Sequence, residues 1–205
     1  YNESKATGGG SAILPTPAIG GVGLMQDHEK MATLAFKAAD EAIILIGGES
    51  GHLGQSIWLR EVHGREEGPP PPVGLALERA TGELVRALID AGAVTAVHDC
   101  SDGGIAVALA EMALAGRVGF SVAMPEDGPS AAAFWFGEDQ ARYIVTAKDA
   151  QAIIRLAEQA GLVALAVGTT GGDTLAFRTA DQESAASLAT VREAHESFFR
   201  DWMEE

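Results

Sequence analysis

The chain has 205 residues, which is enough for one large domain or for one domain with a linker. Its 14 Lys and Arg side chains against 29 Asp and Glu side chains give a formal net charge of −15, which makes nucleic acid and anionic membranes poor partners. Hydrophobic residues make up 47% of the chain, so there is ample material for a core. Aromatic residues make up only 6%, which favours helices packed on a sheet over an aromatic-rich β-sandwich.

The cysteine content and the lengths of the apolar runs indicate the cellular compartment. Cys100 is the single cysteine, which excludes an intramolecular disulfide framework and a thiolate zinc site and fits a reduced, cytosolic setting. No apolar run approaches the roughly 18 residues of a membrane span, and the first residues lack a basic region followed by an apolar core. We therefore expect a cytoplasmic protein that does not cross a membrane.

The first part of the chain predicts a linker followed by a strand and a short helix. Residues 1–24 are rich in Gly, Ser, Pro and Thr, so we expect an extended linker there and a compact domain over residues 25–205. Ala42–Ile46 is apolar throughout, as in strands that are covered on both faces. A glycine-rich loop over residues 47–56 then leads into a predicted helix over Ser56–Val62, and a proline-rich irregular segment follows.

The remaining chain alternates predicted helices and strands. The alternation indicates an α/β fold, and consecutive strands near residues 145 and 170 favour a mixed sheet with packed helices over a purely parallel one. The glycine-containing turn at residues 169–173 predicts that the strands on either side of it pair as a hairpin. The predicted elements are a helix over Leu75–Ala91, a strand ending at Asp99, a helix after Gly104, strands over Gly119–Met124 and Arg142–Ala147, a helix over Asp149–Gly161 with Asp149 as its N-cap, strands over Val163–Val167 and Thr174–Phe177, and a helix over Ser184–Trp202.

The turn from His98 to Gly104, with the sequence His-Asp-Cys-Ser-Asp-Gly-Gly, is the first candidate site. Asp99 could hold a divalent cation, because hard cations prefer carboxylate oxygens, and the glycines would let backbone N–H groups reach a phosphate on that metal. Alternatively, Ser101 or Asp102 is an ordinary N-cap, and the glycines let the helix pack closely on the strand. Nothing nearby marks Cys100 as an activated thiolate, so we expect it to serve packing.

The glycine-rich loop over residues 47–56 is the second candidate, because ligands of open α/β sheets bind beyond strand ends. Its spacing matches neither the dinucleotide-binding nor the Walker motif. The alternative is a simple turn in which His52 is exposed or caps a helix.

The third candidate is the group Glu138, Asp139 and Gln140, which could orient a ribose, an amide or a metal. The alternative there is an exposed turn in which Arg142 pairs with a carboxylate. No Ser/His/Asp arrangement can be assembled by spacing, so nucleophilic catalysis is unsupported.

Five segments in order resemble the phosphoribosylformylglycinamidine synthase family, and the resemblance extends over nearly the whole chain. These are the purine-biosynthetic amidotransferases whose large subunit contains two copies of a pair of domains similar to aminoimidazole ribonucleotide synthetase. The segments are Ile13–Gly23, Gly51–Ser56, Arg65–Val73, His98–Ala113 and Phe136–Arg142.

The resemblance implies the last C-terminal-type domain of the second pair, with a three-layer α/β fold, preceded by the tail of the domain before it. The residues Tyr1-Asn-Glu-Ser4 are similar to the end of the family motif Gly-Asn-Val-Ser-x-Tyr-Asn-Glu. The motif's contacts with ATP, magnesium and substrate would therefore stand before Tyr1. The family's catalytic His belongs to the first pair, so the resemblance implies that this part is inactive in isolation.

The family chemistry implied by the resemblance is ATP-dependent amidation. ATP and magnesium activate the amide oxygen of formylglycinamide ribonucleotide, and ammonia from a glutaminase then displaces phosphate to give the amidine. The implied cofactors are ATP or ADP and magnesium in the full-length enzyme, with the alternative that this part alone holds none. The implied partners are the preceding domains, a glutaminase subunit or domain and a small accessory subunit.

Because the family's large subunit contains two copies of the domain pair, the resemblance also implies where a ligand would bind in this chain. In the sister domain of the first pair, a Gln-Asp strand end binds magnesium and a Glu-Ser-Gln stretch touches substrate. The present chain has His for Gln and Asp for Ser, which implies an auxiliary nucleotide site instead of the catalytic one. The other interpretation is a purely structural module that binds no small molecule. The predicted binding residues are His98, Asp99, Asp102, Gly103, Glu138, Asp139 and Gln140, with Asp99 as the metal ligand.

Overall fold

The structure, a computed structural model, describes residues 2–4, 9–11, 17–48 and 51–204. The strands among them are β1 Asn2–Ser4, β2 Gly9–Ser11, β3 Ala42–Ile46, β4 Ala96–Asp99, β5 Phe120–Ala123, β6 Tyr143–Ala147, β7 Ala164–Thr170, β8 Thr174–Arg178 and β9 Glu183–Ser187. The helices are α1 Ile57–His63, α2 Leu75–Asp90, α3 Gly104–Gly116, α4 Ala131–Phe136, α5 Ala150–Gln159 and α6 Leu188–Glu204. In the described part of the chain, no helix is both long and apolar enough to cross a membrane.

A seven-stranded mixed sheet organises the domain, with the order β4-β6-β3-β7-β5-β8-β9. The pair β5–β8 is parallel, and the other ladders of this sheet are antiparallel. The short strands β1 and β2 form a separate antiparallel pair among the described strands. The predicted mixed sheet is therefore confirmed.

Strand β3 shows why the fold has three layers. Its side chains alternate between the two faces of the sheet, as the pleat requires. Ile43 and Leu45 join the apolar cluster that contains residues of α3 and α4, whereas Ile44 and Ile46 join a second cluster with residues of α2 and α5. All four side chains are buried, so the prediction of a strand covered on both faces is confirmed.

Helices α1 and α5 each begin directly after a residue whose side chain caps them. The Ser56 hydroxyl accepts a hydrogen bond from the N–H of Leu59 at the start of α1. The Asp149 carboxylate accepts one from the N–H of Ala152 in α5, which confirms the predicted N-cap. Helix α2 ends one residue before the predicted Ala91.

The predicted hairpin of β7 with β8 is wrong, because β5 lies between these two strands. Glycines in β7 and in the loop between β7 and β8 allow β5 to enter between these strands. A Cβ on Gly168 would lie 2.0 Å from the carbonyl oxygen of Ser121 in β5, so β5 can approach β7 only at a glycine. Gly171 also donates to the carbonyl of Gly119, and Gly119 donates to that of Gly172, which seats the start of β5 in the loop.

Two further elements differ from the prediction. Residues 131–136 form helix α4, capped by the Ser130 hydroxyl, where no helix was predicted. Residues 184–187 belong to strand β9 instead of the last helix, since they pair with β8. The Ser187 hydroxyl then accepts from the N–H of Thr190, so the helix begins only at Leu188.

The predicted division into a linker and a domain stays a prediction. Ile19, Val22 and Leu24 are exposed, and the first buried apolar side chain among the described residues is Phe36. Residues 1, 5–8 and 12–16 of the predicted linker lie outside the described residues.

Candidate functional site

The turn between β4 and α3 is built on two glycines with positive φ. Gly103 is the N-cap of α3 with a φ of +78°, and no side chain of the turn caps the helix. The expectation that Ser101 or Asp102 is an ordinary N-cap is therefore wrong. Gly104 has a φ of +65°, and a Cβ there would lie 2.4 Å from the carbonyl oxygen of Gly137. The turn thus packs directly against the backbone that precedes Glu138, which only glycine permits.

Glu138 supplies the acceptor that the turn itself does not provide. Its Oε1 accepts from the N–H of Gly103 at 2.9 Å and from the N–H of Ile57, the first residue of α1, at 2.8 Å. Its own backbone N–H donates to the carbonyl of His52 at 2.9 Å. The carboxylate therefore joins the start of α1 to the turn after β4, and the Glu138 backbone contacts the glycine-rich loop.

Asp139 and Arg142 form a buried pair beneath this junction. Asp139 accepts from the N–H of Gly51 at 2.8 Å and from that of His52 at 3.2 Å. Its Oδ2 lies 3.4 Å from Nη1 of Arg142, a side chain that is only 1% exposed. The guanidinium also donates to the carbonyl oxygens of Gly137 and Asp139. The predicted pairing of Arg142 with a carboxylate is confirmed, but both partners are buried instead of lying in an exposed turn.

The glycine-rich loop is also fixed on its other side. Nε2 of His52 lies 2.9 Å from the carbonyl oxygen of Pro69, and the Gln55 amide donates to the carbonyl of Gly68 at 2.9 Å. His52 thus contacts the proline-rich segment instead of capping a helix. Residues 49 and 50 of the predicted loop lie outside the described residues.

Asp99 and Gln140 come together at a small cavity of about 160 Å³. Both residues are exposed, and the cavity wall carries carboxylate, hydroxyl and amide groups. Burial, together with the charges of Glu78 and Asp99, raises the pKa of the Tyr143 hydroxyl at this wall. The lining residues are Glu78, Asp99, Cys100, Ser101, Gln140, Ala141, Arg142 and Tyr143. Sequence reasoning missed Glu78 and Tyr143, although Tyr143 is the residue that pairs with Asp99 across the β4–β6 ladder.

His98 lies on a different surface from this cavity. Its Nε2 is 2.8 Å from a carboxylate oxygen of Glu111 in α3, and its Nδ1 is 3.3 Å from Asp99. It lines a separate cavity of about 410 Å³ between α3 and α6, together with Arg192 and His195. The structure therefore joins His98 to Asp99 but not to Glu138 or Gln140.

Asp102 is exposed and lies apart from the Asp99 cavity. The pKa of Arg60 on helix α1 is raised mainly by its hydrogen bond to Glu61 and by the charge of Glu61. The charges of Glu66 and Asp102 raise it less. Asp102 therefore influences Arg60 of α1 and does not line the cavity.

Cys100 is buried, and burial raises the pKa of its thiol to about 12. The thiol is therefore protonated near neutral pH, as expected for a packing residue.

The oxygen donors around Asp99 suit a hard cation such as magnesium, which protein sites bind through one or two carboxylates together with waters and ligand phosphates. Within the described ranges, no group of three or more His, Cys, Asp or Glu side chains could hold a metal ion by itself. A metal ligated by Asp99 would therefore need phosphate or water oxygens to complete its coordination.

Comparisons with known proteins agree with this architecture. The family described as "AIR synthase related protein, C-terminal domain" matches residues 38–179. The chain is 55% identical over 204 residues to the phosphoribosylformylglycinamidine synthase subunit PurL of Novosphingobium aromaticivorans, covering 100% of the chain and 26% of that protein. The chain thus spans about a quarter of the length of such curated relatives.

Two solved structures of Thermotoga maritima PurL share the fold. The complex with FGAR has a TM-score of 0.70 at 15% identity, over 80% of this chain and 30% of that one. The complex with ATP has a TM-score of 0.65 at 16% identity, over 80% and 28%. With the mixed sheet in place and more than half of its residues matched, the chain belongs to the AIR synthase related protein, C-terminal domain family.

Proposed function

We propose that residues 25–205 are the C-terminal domain of the second synthetase-like pair in a phosphoribosylformylglycinamidine synthase. The observation that carries this proposal is the 55% identity to a PurL subunit across the entire chain. The full-length enzyme would convert formylglycinamide ribonucleotide and glutamine-derived ammonia to the amidine, with ATP as the activating nucleotide. The domain alone would be inactive.

Within that enzyme, the domain would contribute an auxiliary nucleotide surface. Asp99 would hold magnesium through its carboxylate, and Gln140 would contact the ligand in the same cavity. The metal would neutralise phosphate charge that Asp99 alone would repel. Glu138 and Asp139 would keep the adjoining loops in place through their backbone acceptors.

The partners follow from the same proposal. The domain would pack against the preceding domains of its own subunit, and the complete amidotransferase would include a glutaminase and a small accessory subunit in the cytoplasm. The single cysteine and the net charge of −15 support such a setting.

Ammonia-dependent turnover tests the proposed enzyme. The full-length protein that carries this chain should release phosphate when given formylglycinamide ribonucleotide, ammonium and Mg-ATP, and the release should require the ribonucleotide. The 205-residue chain alone should show none. Turnover by the chain alone would contradict its assigned role, and no turnover by the full-length protein would contradict the assigned reaction.

The second candidate function is a structural module without a ligand of its own. It is favoured by the use of Glu138 and Asp139 as acceptors for backbone N–H groups. Calorimetric titration of the full-length protein with Mg-ADP separates the two. Heat that is lost in Asp99→Ala but retained in Asp181→Ala, a change at another exposed carboxylate, supports the nucleotide surface. Equal heats in both variants support the structural module.

A further inference from the structure

A single carboxylate oxygen links two segments that lie far apart in the sequence. Oε1 of Glu138 is 2.8 Å from the amide nitrogen of Ile57 and 2.9 Å from that of Gly103. Gly103 is buried, so its N–H cannot simply turn to solvent when this acceptor is lost. The positions of the α1 start and of the turn after β4 are therefore both set by one side chain.

The neighbouring residues hold Glu138 itself in place. Asp139 binds the N–H groups of Gly51 and His52, and the buried Arg142 binds both the Asp139 carboxylate and the carbonyl of Gly137. The backbone on either side of Glu138 is thus tied to the glycine-rich loop.

Gln140 has different surroundings although it stands only two residues further on. It is exposed and lines the cavity with Asp99 and Ser101. The three polar residues from 138 to 140 therefore divide into two that contact the protein backbone and one that faces the cavity.

We propose that Glu138 is a positioning residue that couples the start of α1, directly after the glycine-rich loop, to the Asp99 turn, and that Gln140 alone of the three residues contacts the ligand. The second half rests on the proposed nucleotide surface, whereas the first half does not. Glu138 then influences ligand binding through the turn that carries Asp99 and not by touching the ligand.

The length and the charge of the Glu138 side chain can be changed separately, which makes the coupling testable. Glu138→Gln retains an oxygen that can accept both N–H groups but removes the charge. Glu138→Asp retains the charge but is one methylene shorter, so it cannot place an oxygen at both amides. A role through geometry predicts that Gln preserves the coupling and Asp does not, whereas a role through charge predicts the opposite.

Hydrogen exchange in the full-length protein measures the coupling directly. Glu138→Ala and Glu138→Asp should both speed exchange of residues 51–57 and 101–105 together, by about tenfold for amides that lose their acceptor. Glu138→Gln should remain close to wild type, and Gln140→Ala should match it. The coupling is contradicted if only one segment responds or if Glu138→Asp exchanges like wild type.

Mg-ADP titration of the same variants completes the test. Gln140→Ala should weaken binding without changing exchange, and Glu138→Asp should weaken binding and speed exchange. Binding that is unaffected by Gln140→Ala contradicts the ligand contact. If the wild-type protein binds no Mg-ADP at all, the proposed nucleotide surface fails, and the exchange data still decide whether Glu138 couples the two segments.

Discussion

Glu138 and Asp139 accept hydrogen bonds from the backbone of other segments, whereas Asp99 and Asp102 are exposed at the end of a strand and in the turn that follows. The four carboxylates lie within one region of the fold, yet their surroundings assign them different tasks. A carboxylate's role therefore depends on which donors the fold brings to it.

Arg142, the buried cation beside Asp139, is the residue whose replacement should lower the stability of the fold most. Arg142→Met removes the partner of the buried Asp139 carboxylate and should lower the free energy of unfolding by about 3–5 kcal/mol. Arg178→Met is the matched control, because Arg178 makes an exposed ion pair with Glu183 that is worth roughly 0–1 kcal/mol. Denaturant titration measures both, and equal losses would show that the Arg142 pair is no more than a surface contact.

The reactivity of Cys100 tests whether the turn after β4 stays closed to solvent. The rise in the pKa of its thiol to about 12 should reduce alkylation at pH 8 about a thousandfold relative to an exposed cysteine. Intact mass after iodoacetamide treatment follows the reaction, with the unfolded chain as the fully reactive control. Rapid labelling of the folded chain would mean that the region opens readily.

Gly104→Ala tests the close approach that brings the turn to Glu138. The positive φ costs about 1–3 kcal/mol, and the contact of the new Cβ with the carbonyl of Gly137 adds to it. Gly92→Ala separates the two effects, because Gly92 has a φ of +63° with no atom within 4 Å of the added Cβ. Thermal unfolding of both variants should show the larger loss for Gly104→Ala. A similar loss in both would leave no role for the contact.

Local patterns predicted the central architecture well. The apolar run Ala42–Ile46 gave the buried strand, and helical spacing gave α2 and α5 to within one or two residues. The hairpin prediction failed because sequence adjacency cannot show that β5 enters between β7 and β8. The Ala-rich α4 was missed because six residues are too few for a helical period to be evident.

The sequence named residues of the candidate site and the pairing of Arg142 with a carboxylate, but not the other contacts of these residues. Asp99 and Gln140 meet at one cavity, 41 positions apart in the sequence, because β4 and β6 are neighbours in the sheet. The attachment of Glu138 to Ile57 and Gly103 has no sequence signal, since any backbone N–H has the same chemistry. Such contacts depend on the tertiary fold.

The difference between the two groups of carboxylates is tested most directly by unfolding Glu138→Ala and Asp99→Ala chains in parallel denaturant titrations. Glu138→Ala leaves two amides without their acceptor and should lose about 1–3 kcal/mol. Asp99→Ala removes an exposed side chain and should change stability by less than about 0.5 kcal/mol. Equal losses in the two variants, or a larger loss for Asp99→Ala, would contradict a structural role for Glu138 that Asp99 lacks.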